Sequence, residues 1–158
     1  MTQKLKLLLA TSCIFLLSCT VTTNNYNTSI ESKKLDIIGT WHLISGTTIT
    51  KKDTVFTDYT KNLYGIKIFN RTHFSFFNHD TKKGKDSTAA FTAGAGTYSL
   101  VGNNYTEHLD FLNYRDWEGR SFHFKISIQN DTLTQYGEEK LEDLGVNRLI
   151  IEKYVRLK

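Results

Sequence analysis

The strongest constraint on the fold is an alternation of apolar and polar residues that begins near Leu35 and recurs to the end of the chain. Successive side chains of a β-strand point to opposite faces, so a period of two predicts strands with one buried face. The alternation is clearest over residues 120–129, where the apolar row comprises Phe122, Phe124, Ile126 and Ile128. Ten Phe, eight Tyr and no proline also favour strands, because aromatic residues suit a pleated sheet and proline interrupts one.

Turn residues divide the alternating region into eight predicted strands. They cover about residues 39–50, 64–70, 72–78, 91–100, 105–112, 120–129, 132–136 and 148–157. We expect a long loop over 51–62 and a polar segment, with one helical turn, over 137–147. Gly94 and Gly96 predict a bulge or a sharp bend in the fourth strand. Because closure removes exposed sheet edges, this order predicts an all-β fold, an eight-stranded antiparallel up-and-down barrel.

The chain begins with a segment of a different kind. Lys4 and Lys6 precede a largely apolar run over residues 7–17, and Ser18 then precedes Cys19. This pattern is typical of a secretory signal, whose apolar part is too short to span a bilayer as a helix. The end of the segment, Leu-Leu-Ser-Cys, resembles the lipobox of bacterial lipoproteins. The resemblance implies a signal peptide over 1–18, cleavage before Cys19 and acylation of its thiol.

Residues 19–34 are predicted to form a flexible tether, because the segment is rich in Asn, Thr and Ser and poor in apolar residues. A single domain over 35–158 would follow it. The lipoprotein resemblance implies attachment to the cell envelope by lipid, which makes the membrane an expected partner. Thr20, rather than Asp, follows the cysteine, and enteric-type sorting would then direct the protein to the outer membrane.

Composition removes several classes of function. Two of the four net positive charges belong to the predicted signal, so the rest of the chain is only weakly basic. Its one lysine cluster, Lys82, Lys83 and Lys85, lies in a single polar loop. Nucleic acid is therefore not an expected partner. Cys13 lies in the predicted signal and Cys19 is predicted to be acylated, which leaves no thiol for a disulfide or a nucleophile. The histidines do not converge in a metal-binding spacing, and no nucleophile-elbow motif occurs. We therefore predict no catalytic residues, no metal and no other cofactor.

Two ends of the alternating region carry a resemblance to a known superfamily. Gly39-Thr40-Trp41 opens the first predicted strand and Arg156 closes the last. The pair resembles the lipocalins and their relatives in the calycin superfamily, in which a basic residue packs over the tryptophan of a Gly-X-Trp motif. Gly94-Ala-Gly-Thr-Tyr98 and Tyr105-Thr-Glu107 are similar to segments of the lipocalin-like domain of small bacterial secreted proteins. The resemblance implies a barrel closed at one end by Gly39, Trp41 and Arg156.

One acidic residue is predicted inside the barrel. Alternation places Glu107 on the same face as Tyr105, Leu109 and Phe111. A buried charge requires a partner, and the candidates are Tyr98, Lys67, His73, Arg120 and Gln135. The alternative is that Glu107 contacts a ligand head group, since small-molecule sites combine an apolar lining with a few polar groups. The candidate ligand-binding residues are therefore Glu107, Tyr98, Tyr105, Phe122, Phe124 and Gln135.

These observations predict a lipid-anchored barrel that binds a small hydrophobic or amphipathic molecule. Two alternatives stay open. The barrel interior can instead be filled by side chains, in a structural or protein-interaction lipoprotein, because core and pocket lining are the same surface in an eight-stranded barrel. An enzyme would need converging titratable groups, which the sequence does not identify. The ligand and the oligomeric state are not specified by the sequence.

Overall fold

A computed structural model describes residues 35–158, and the predicted signal, Cys19 and the predicted tether lie outside the described residues. Residues 35–158 contain nine strands and two short 3-10 helices. The strands are β1 (Gly39–Ile49), β2 (Thr54–Asp58), β3 (Leu63–Phe69), β4 (His73–Asp80), β5 (Phe91–Val101), β6 (Asn104–Leu112), β7 (Arg120–Gln129), β8 (Thr132–Leu141) and β9 (Val146–Arg156). The 3-10 helices are Arg115–Trp117 and Glu142–Leu144.

Antiparallel pairing joins the strands of this part of the chain in the order β1, β3, β4, β5, β6, β7, β8 and β9, and β9 pairs back with β1. The prediction of an eight-stranded antiparallel up-and-down barrel is therefore confirmed. This architecture is compatible with a lipocalin-like fold. We call the end at which β1 begins and β9 ends the closed end. The opposite end, where β4 connects to β5 and β8 connects to β9, is the mouth.

The predicted loop over 51–62 is wrong in part, because it contains β2. One edge of β1 pairs with β3 only over Gly39–Leu43, and the edge over Ser45–Ile49 pairs with β2. The β-branched residues of Thr54-Val55-Phe56-Thr57 suit a strand that completes this otherwise unpaired edge. The backbone N–H of Tyr59 then donates to the carbonyl of Ile44 at 3.1 Å, which holds the end of the segment against the barrel at the mouth.

The predicted polar segment over 137–147 is also wrong in part. The seventh strand of the barrel continues to Leu141, and only Glu142–Leu144 forms a helical turn. Between the buried Leu133 and Leu141, the interior-facing residues of this strand are polar or small, so its pattern resembled that of a loop. Gly137 is one of them, and a Cβ at this position would lie 2.5 Å from the carbonyl oxygen of His123 on β7. Glycine therefore permits the close approach of the two backbones.

A bulge reverses the predicted orientation of Phe111. The register between β5 and β6 shifts at Gly96, which pairs with Leu109, while the preceding residue pairs with Phe111. Asp110 is therefore the additional residue of β6, and the alternation changes face there. Phe111 is 68% exposed and Leu112 points inward in its place. The glycines predicted a bulge in this region, but not that the extra residue would lie on the partner strand.

Large side chains pack the half of the barrel nearer the closed end. The fully buried ones are Trp41, Leu43, Phe69, Phe74, Tyr105, Ile126 and Leu133. Phe69 meets the rings of Tyr98 and Tyr105 edge to face, with centroids 5.6 and 5.8 Å away. Such aromatic pairs add a geometric preference to the burial of apolar area. This half of the barrel is a packed core.

The closed end is built around Trp41 and Arg156. Trp41 is completely buried, and its indole Nε1–H donates to the carbonyl of Ile37 at 2.7 Å. The guanidinium carbon of Arg156 lies 4.2 Å from the centroid of the indole ring. Its two terminal nitrogens donate to the carbonyls of Ile38 and Asp36, each at 2.7 Å. One side chain thus stacks on the core and ties the incoming chain to the end of β9.

Gly39 leaves room for this arrangement. Its φ is +129°, a conformation that side chains rarely adopt, and a Cβ there would lie 3.1 Å from the Nη1 atom of Arg156. The register of β1 and β9 pairs Trp41 directly with Arg156. Arg156 therefore lies against both Gly39 and Trp41, the two residues of the Gly-X-Trp motif that carry the resemblance.

We predict that Arg156→Ala lowers the free energy of unfolding by about 2–4 kcal/mol, because it removes both the ring contact and two charge-assisted hydrogen bonds. Arg156→Lys should recover less than half of the loss, since an ammonium cannot reproduce the planar fork of donors. Urea denaturation at neutral pH measures both. Lys153→Ala, on the exposed face of the same strand, is the matched control and should change stability by less than about 0.5 kcal/mol. An Arg156→Ala variant as stable as that control would contradict the role assigned to the stack.

Candidate functional site

A cavity of about 250 Å³ lies inside the barrel on the side of the mouth. Its lining divides into two chemically different walls. The apolar wall comes mainly from β4, β6, β7 and the connection between β6 and β7, and includes Phe76, Leu109, Leu112, Trp117, Phe122 and Phe124. The polar wall comes from β3, β6, β8 and β9, and includes Lys67, Glu107, Gln135, Glu139, Arg148, Glu152 and Tyr154. The barrel is therefore packed in one half and hollow in the other.

Four of the six residues predicted to contact a ligand line this cavity. They are Glu107, Phe122, Phe124 and Gln135. The two tyrosines do not. Tyr105 is completely buried in the packed half, and burial, with the negative charge of Glu107, raises its pKa well above the ordinary value. Tyr98 lies nearer the closed end, where its hydroxyl donates to the carbonyl of Asn70 at 2.7 Å.

Lys67 is the direct partner of Glu107 at the floor of the cavity. Its side chain is 3% exposed, and its ammonium forms a buried ion pair with Glu107 and donates to the amide oxygen of Gln135 at 2.9 Å. The ammonium also lies within 5.2–6.0 Å of the centroids of Phe69, Phe74, Tyr105 and Tyr154. A carboxylate, an amide and several ring faces together replace the water that a buried ammonium loses.

The remaining candidate partners of Glu107 lie elsewhere. His73 is exposed at the closed end, where its Nδ1 is 2.7 Å from the hydroxyl of Thr72. Arg120 forms an ion pair with Asp143 at the mouth. Among the candidates, Lys67 therefore contacts Glu107 directly and Gln135 contacts it through the Lys67 ammonium.

A second ion pair lies in the cavity nearer the mouth. The Nε of Arg148 donates to a carboxylate oxygen of Glu139 at 2.5 Å, and the two residues are direct partners across β8 and β9. The guanidinium carbon also lies 5.3 Å from the ring centroid of Trp117. Burial raises the pKa of Glu139, and the positive charge of Arg148 opposes that rise. This pair joins the polar wall to the aromatic residue beside the mouth.

Glu152 differs from the other two carboxylates of the cavity. It accepts a hydrogen bond from the hydroxyl of Tyr154 at 2.7 Å, but no Lys or Arg of residues 35–158 forms an ion pair with it. Burial raises its pKa, and the charge of Lys67 works in the opposite direction. The cavity wall thus carries three carboxyl groups against two cations, and Glu152 is the one left over.

Sequence reasoning missed Glu139, Arg148 and Glu152 as interior residues. The signal existed in the pairing of Trp41 with Arg156. If Arg156 faces inward, then alternation places residues 154, 152, 150 and 148 inward as well. The opposite face of β9 carries Leu149, Ile151 and Val155, and this more apolar row concealed the correct orientation.

A serine, a histidine and an aspartate meet on the outer surface of β6 and β7. The Nδ1 of His108 lies 3.0 Å from the hydroxyl of Ser121, and its Nε2 lies 3.5 Å from Asp110. All three are exposed on the outer face of the barrel, and none of them lines the cavity inside it. A catalytic group of this type needs a concave surface that holds the substrate. We therefore place the candidate site in the barrel interior.

Comparisons with known proteins do not assign the chain to a family. No protein-family model matches the chain, and a search of curated proteins finds no significant match. Over residues 35–158, no group of three or more His, Cys, Asp or Glu side chains is arranged to hold a metal ion. In the same residues, no helix has the length and apolar character needed to cross a membrane.

The buried ion pair generates a prediction on stability. Lys67→Met should lower the free energy of unfolding by about 3–5 kcal/mol, because it leaves Glu107 buried without a cation. The double variant Lys67→Met with Glu107→Met should recover most of the loss, since apolar side chains of similar size replace the whole pair. Urea denaturation of the two single variants and the double variant measures the coupling. Losses that simply add in the double variant would show that the two side chains are energetically independent.

The surplus carboxyl group generates a prediction on pH. The folded-state pKa of Glu152 is raised above its ordinary 4.5, so its protonated form is favoured by folding. The stability it contributes is present below pH 4.5 and is lost as the pH rises through the raised pKa. Glu152→Gln should therefore gain stability relative to the unmodified protein as the pH rises from 4.5 to neutral.

Thermal unfolding followed by circular dichroism across this pH range checks the prediction. The charged and titratable groups around Glu152 are Tyr59, Lys67, Glu107, Glu139, Arg148 and Tyr154, which are the same in both proteins. Glu138→Gln, at an exposed position of β8, is the control and should show no such trend. A stability difference for Glu152→Gln that is constant or shrinks with rising pH would refute the assignment.

Proposed function

We propose that this protein binds a small amphipathic molecule inside the barrel, as a lipid-anchored, lipocalin-like protein of the cell envelope. The observation that carries the proposal is the hollow half of the barrel, where one wall is apolar and aromatic and the other is charged. Ligand sites are typically concave, mostly apolar and equipped with a few polar groups that fix orientation. A molecule with an apolar body and a polar head matches both walls.

The size of the cavity narrows the ligand class. Its volume of about 250 Å³ lies below the roughly 300–1,000 Å³ of sites for drug-sized ligands. The packed half, with Trp41 and Tyr105 completely buried, does not extend the space toward the closed end. A compact ligand is therefore favoured over a long acyl chain held entirely inside the barrel.

The membrane anchor is part of the same proposal. The Cys19 lipobox supports acylation of the mature amino terminus, and Thr20 supports sorting to the outer membrane. Leu35 and Ile37, the first described part of the chain, lie at the closed end beside Tyr98 and Leu100.

A second candidate is a protein-interaction role. Phe77 and Phe111 are 42% and 68% exposed on the outer face of β4, β5 and β6, and Ala93 lies beside Phe77 on the neighbouring strand. Together they line a shallow depression that opens outward. Contiguous exposed apolar side chains of this kind can mark protein contacts. The interior cavity has more specific chemistry, so ligand binding is the proposal we favour.

Native mass spectrometry of the protein purified from its own host tests the ligand-binding proposal. We expect a retained small organic molecule, and the mass of the amino-terminal peptide should report an acylated Cys19. Leu112→Trp, which places an indole ring in the cavity, should lose the molecule, whereas Val101→Trp at the exposed end of β5 should keep it. A barrel that retains no molecule and takes up no small fluorescent probe would favour the structural alternative.

A further inference from the structure

We propose that the cavity selects a ligand whose head group is a protonated amine, and that Glu152 is the carboxylate that receives it. The inference rests on the proposed function and adds the chemical class of the ligand. It follows from three features of the interior, namely the balance of charge, the surroundings of Glu152 and the cost of burying a carboxylate.

The balance of charge disfavours an anionic head group. Lys67 is already paired with Glu107, and Arg148 is already paired with Glu139. A carboxylate or phosphate entering the cavity would have to compete with these partners, and it would add to the surplus negative charge. A cation has an open partner instead, because Glu152 has no Lys or Arg in ion-pair contact within residues 35–158.

The surroundings of Glu152 suit an ammonium group. One carboxylate oxygen accepts from the hydroxyl of Tyr154, which fixes the side chain and leaves the other oxygen without a hydrogen bond from this part of the chain. Its partner on β1 is Gly46, and a Cβ there would lie 3.3 Å from the ring of Tyr59. The hydroxyl of Tyr154 therefore contacts the carboxylate, and the ring of Tyr59 lies beside Gly46, the residue paired with Glu152. Ring faces and a carboxylate together are a favourable environment for a small organic cation.

A bound cation gains an energetic advantage because the Glu152 carboxylate is buried without a cation partner. Burial raises the pKa of Glu152 and also that of Tyr59, to whose rise the negative charge of Glu152 contributes. A bound ammonium would compensate this buried charge, and Glu152 would release to solvent any proton that it carries. Amine binding should therefore tighten as the pH rises above 4.5, as long as the amine itself stays protonated.

A matched set of three ligands tests the inference. The probes are 2-phenylethylamine, 2-phenylethanol and 3-phenylpropionate, which share a compact aromatic body and differ in the charge of the head group. Isothermal titration of the full chain at neutral pH measures their affinities. We expect the amine to bind at least tenfold more tightly than the alcohol, and the carboxylate to bind most weakly.

Two variants assign the effect to one residue. Glu152→Gln should reduce the affinity of the amine to that of the alcohol, and should change the affinity of the alcohol by less than about threefold. Glu138→Gln, on the exposed face of β8, removes the same charge outside the cavity and should leave all three affinities unchanged. Because Glu152→Gln removes a buried charge without a cation partner, the variant is expected to fold.

The outcomes separate this inference from the proposed function. Equal affinities for amine and alcohol, or tightest binding of the carboxylate, would overturn the inference and leave ligand binding intact. A preference for the amine that survives in Glu152→Gln would overturn the role of Glu152. Binding of none of the three probes to the unmodified protein would count against the proposed function itself.

Discussion

The structure depends on an ammonium group buried at the middle of the barrel. Lys67 is surrounded by the carboxylate of Glu107, the amide of Gln135 and several aromatic rings, and this group divides the packed half from the hollow half. Below it, rings and aliphatic side chains fill the space toward Trp41. Above it, charged side chains from β8 and β9 line one wall, and an isolated charge cannot be packed against apolar groups without a large cost. The row of charges thus explains why the mouth half is not simply another core.

The two halves use the same strands for different purposes. In β6, Tyr105 belongs to the core, and Glu107, two residues further on, belongs to the cavity. In β9, Arg156 closes one end by stacking on Trp41, while Arg148 approaches Trp117 at the other. Each end of the barrel therefore places a guanidinium over an indole. At the closed end the contact covers a completely buried ring, whereas at the mouth it borders an accessible cavity.

The barrel could be predicted from the sequence because each strand is specified by a local pattern of alternating apolar and polar residues. Alternation identified the eight barrel strands, and the contact of Gly39, Trp41 and Arg156 agrees with the closure that the family resemblance implied. The errors have specific physical causes. The extra residue at Asp110 reversed the face of Phe111, and β2 formed because an edge of β1 needed a partner. Neither cause can be seen without the strand pairing.

The candidate site was harder to predict than the fold. Phe122 and Phe124 were recognised from the apolar row of β7, Glu107 as an acidic residue on an apolar face of β6, and Gln135 as a candidate partner of Glu107. Glu139 was missed because its polar surroundings in β8 resembled a loop, and Glu152 was missed because the opposite face of β9 is the more apolar one. Residues that break the alternation of apolar and polar side chains are expected at functional sites. In this protein the departure is concentrated on β8 and β9, two of the four strands that form the polar wall.

The most direct test of the account is a crystal structure of the protein purified from its own host. The account predicts electron density for a compact non-protein molecule between Phe122 and Glu152, with its apolar body on the aromatic wall and its head group on the charged wall. A barrel in which Phe76 and Trp117 have moved inward to fill the space, with no molecule present, would contradict it.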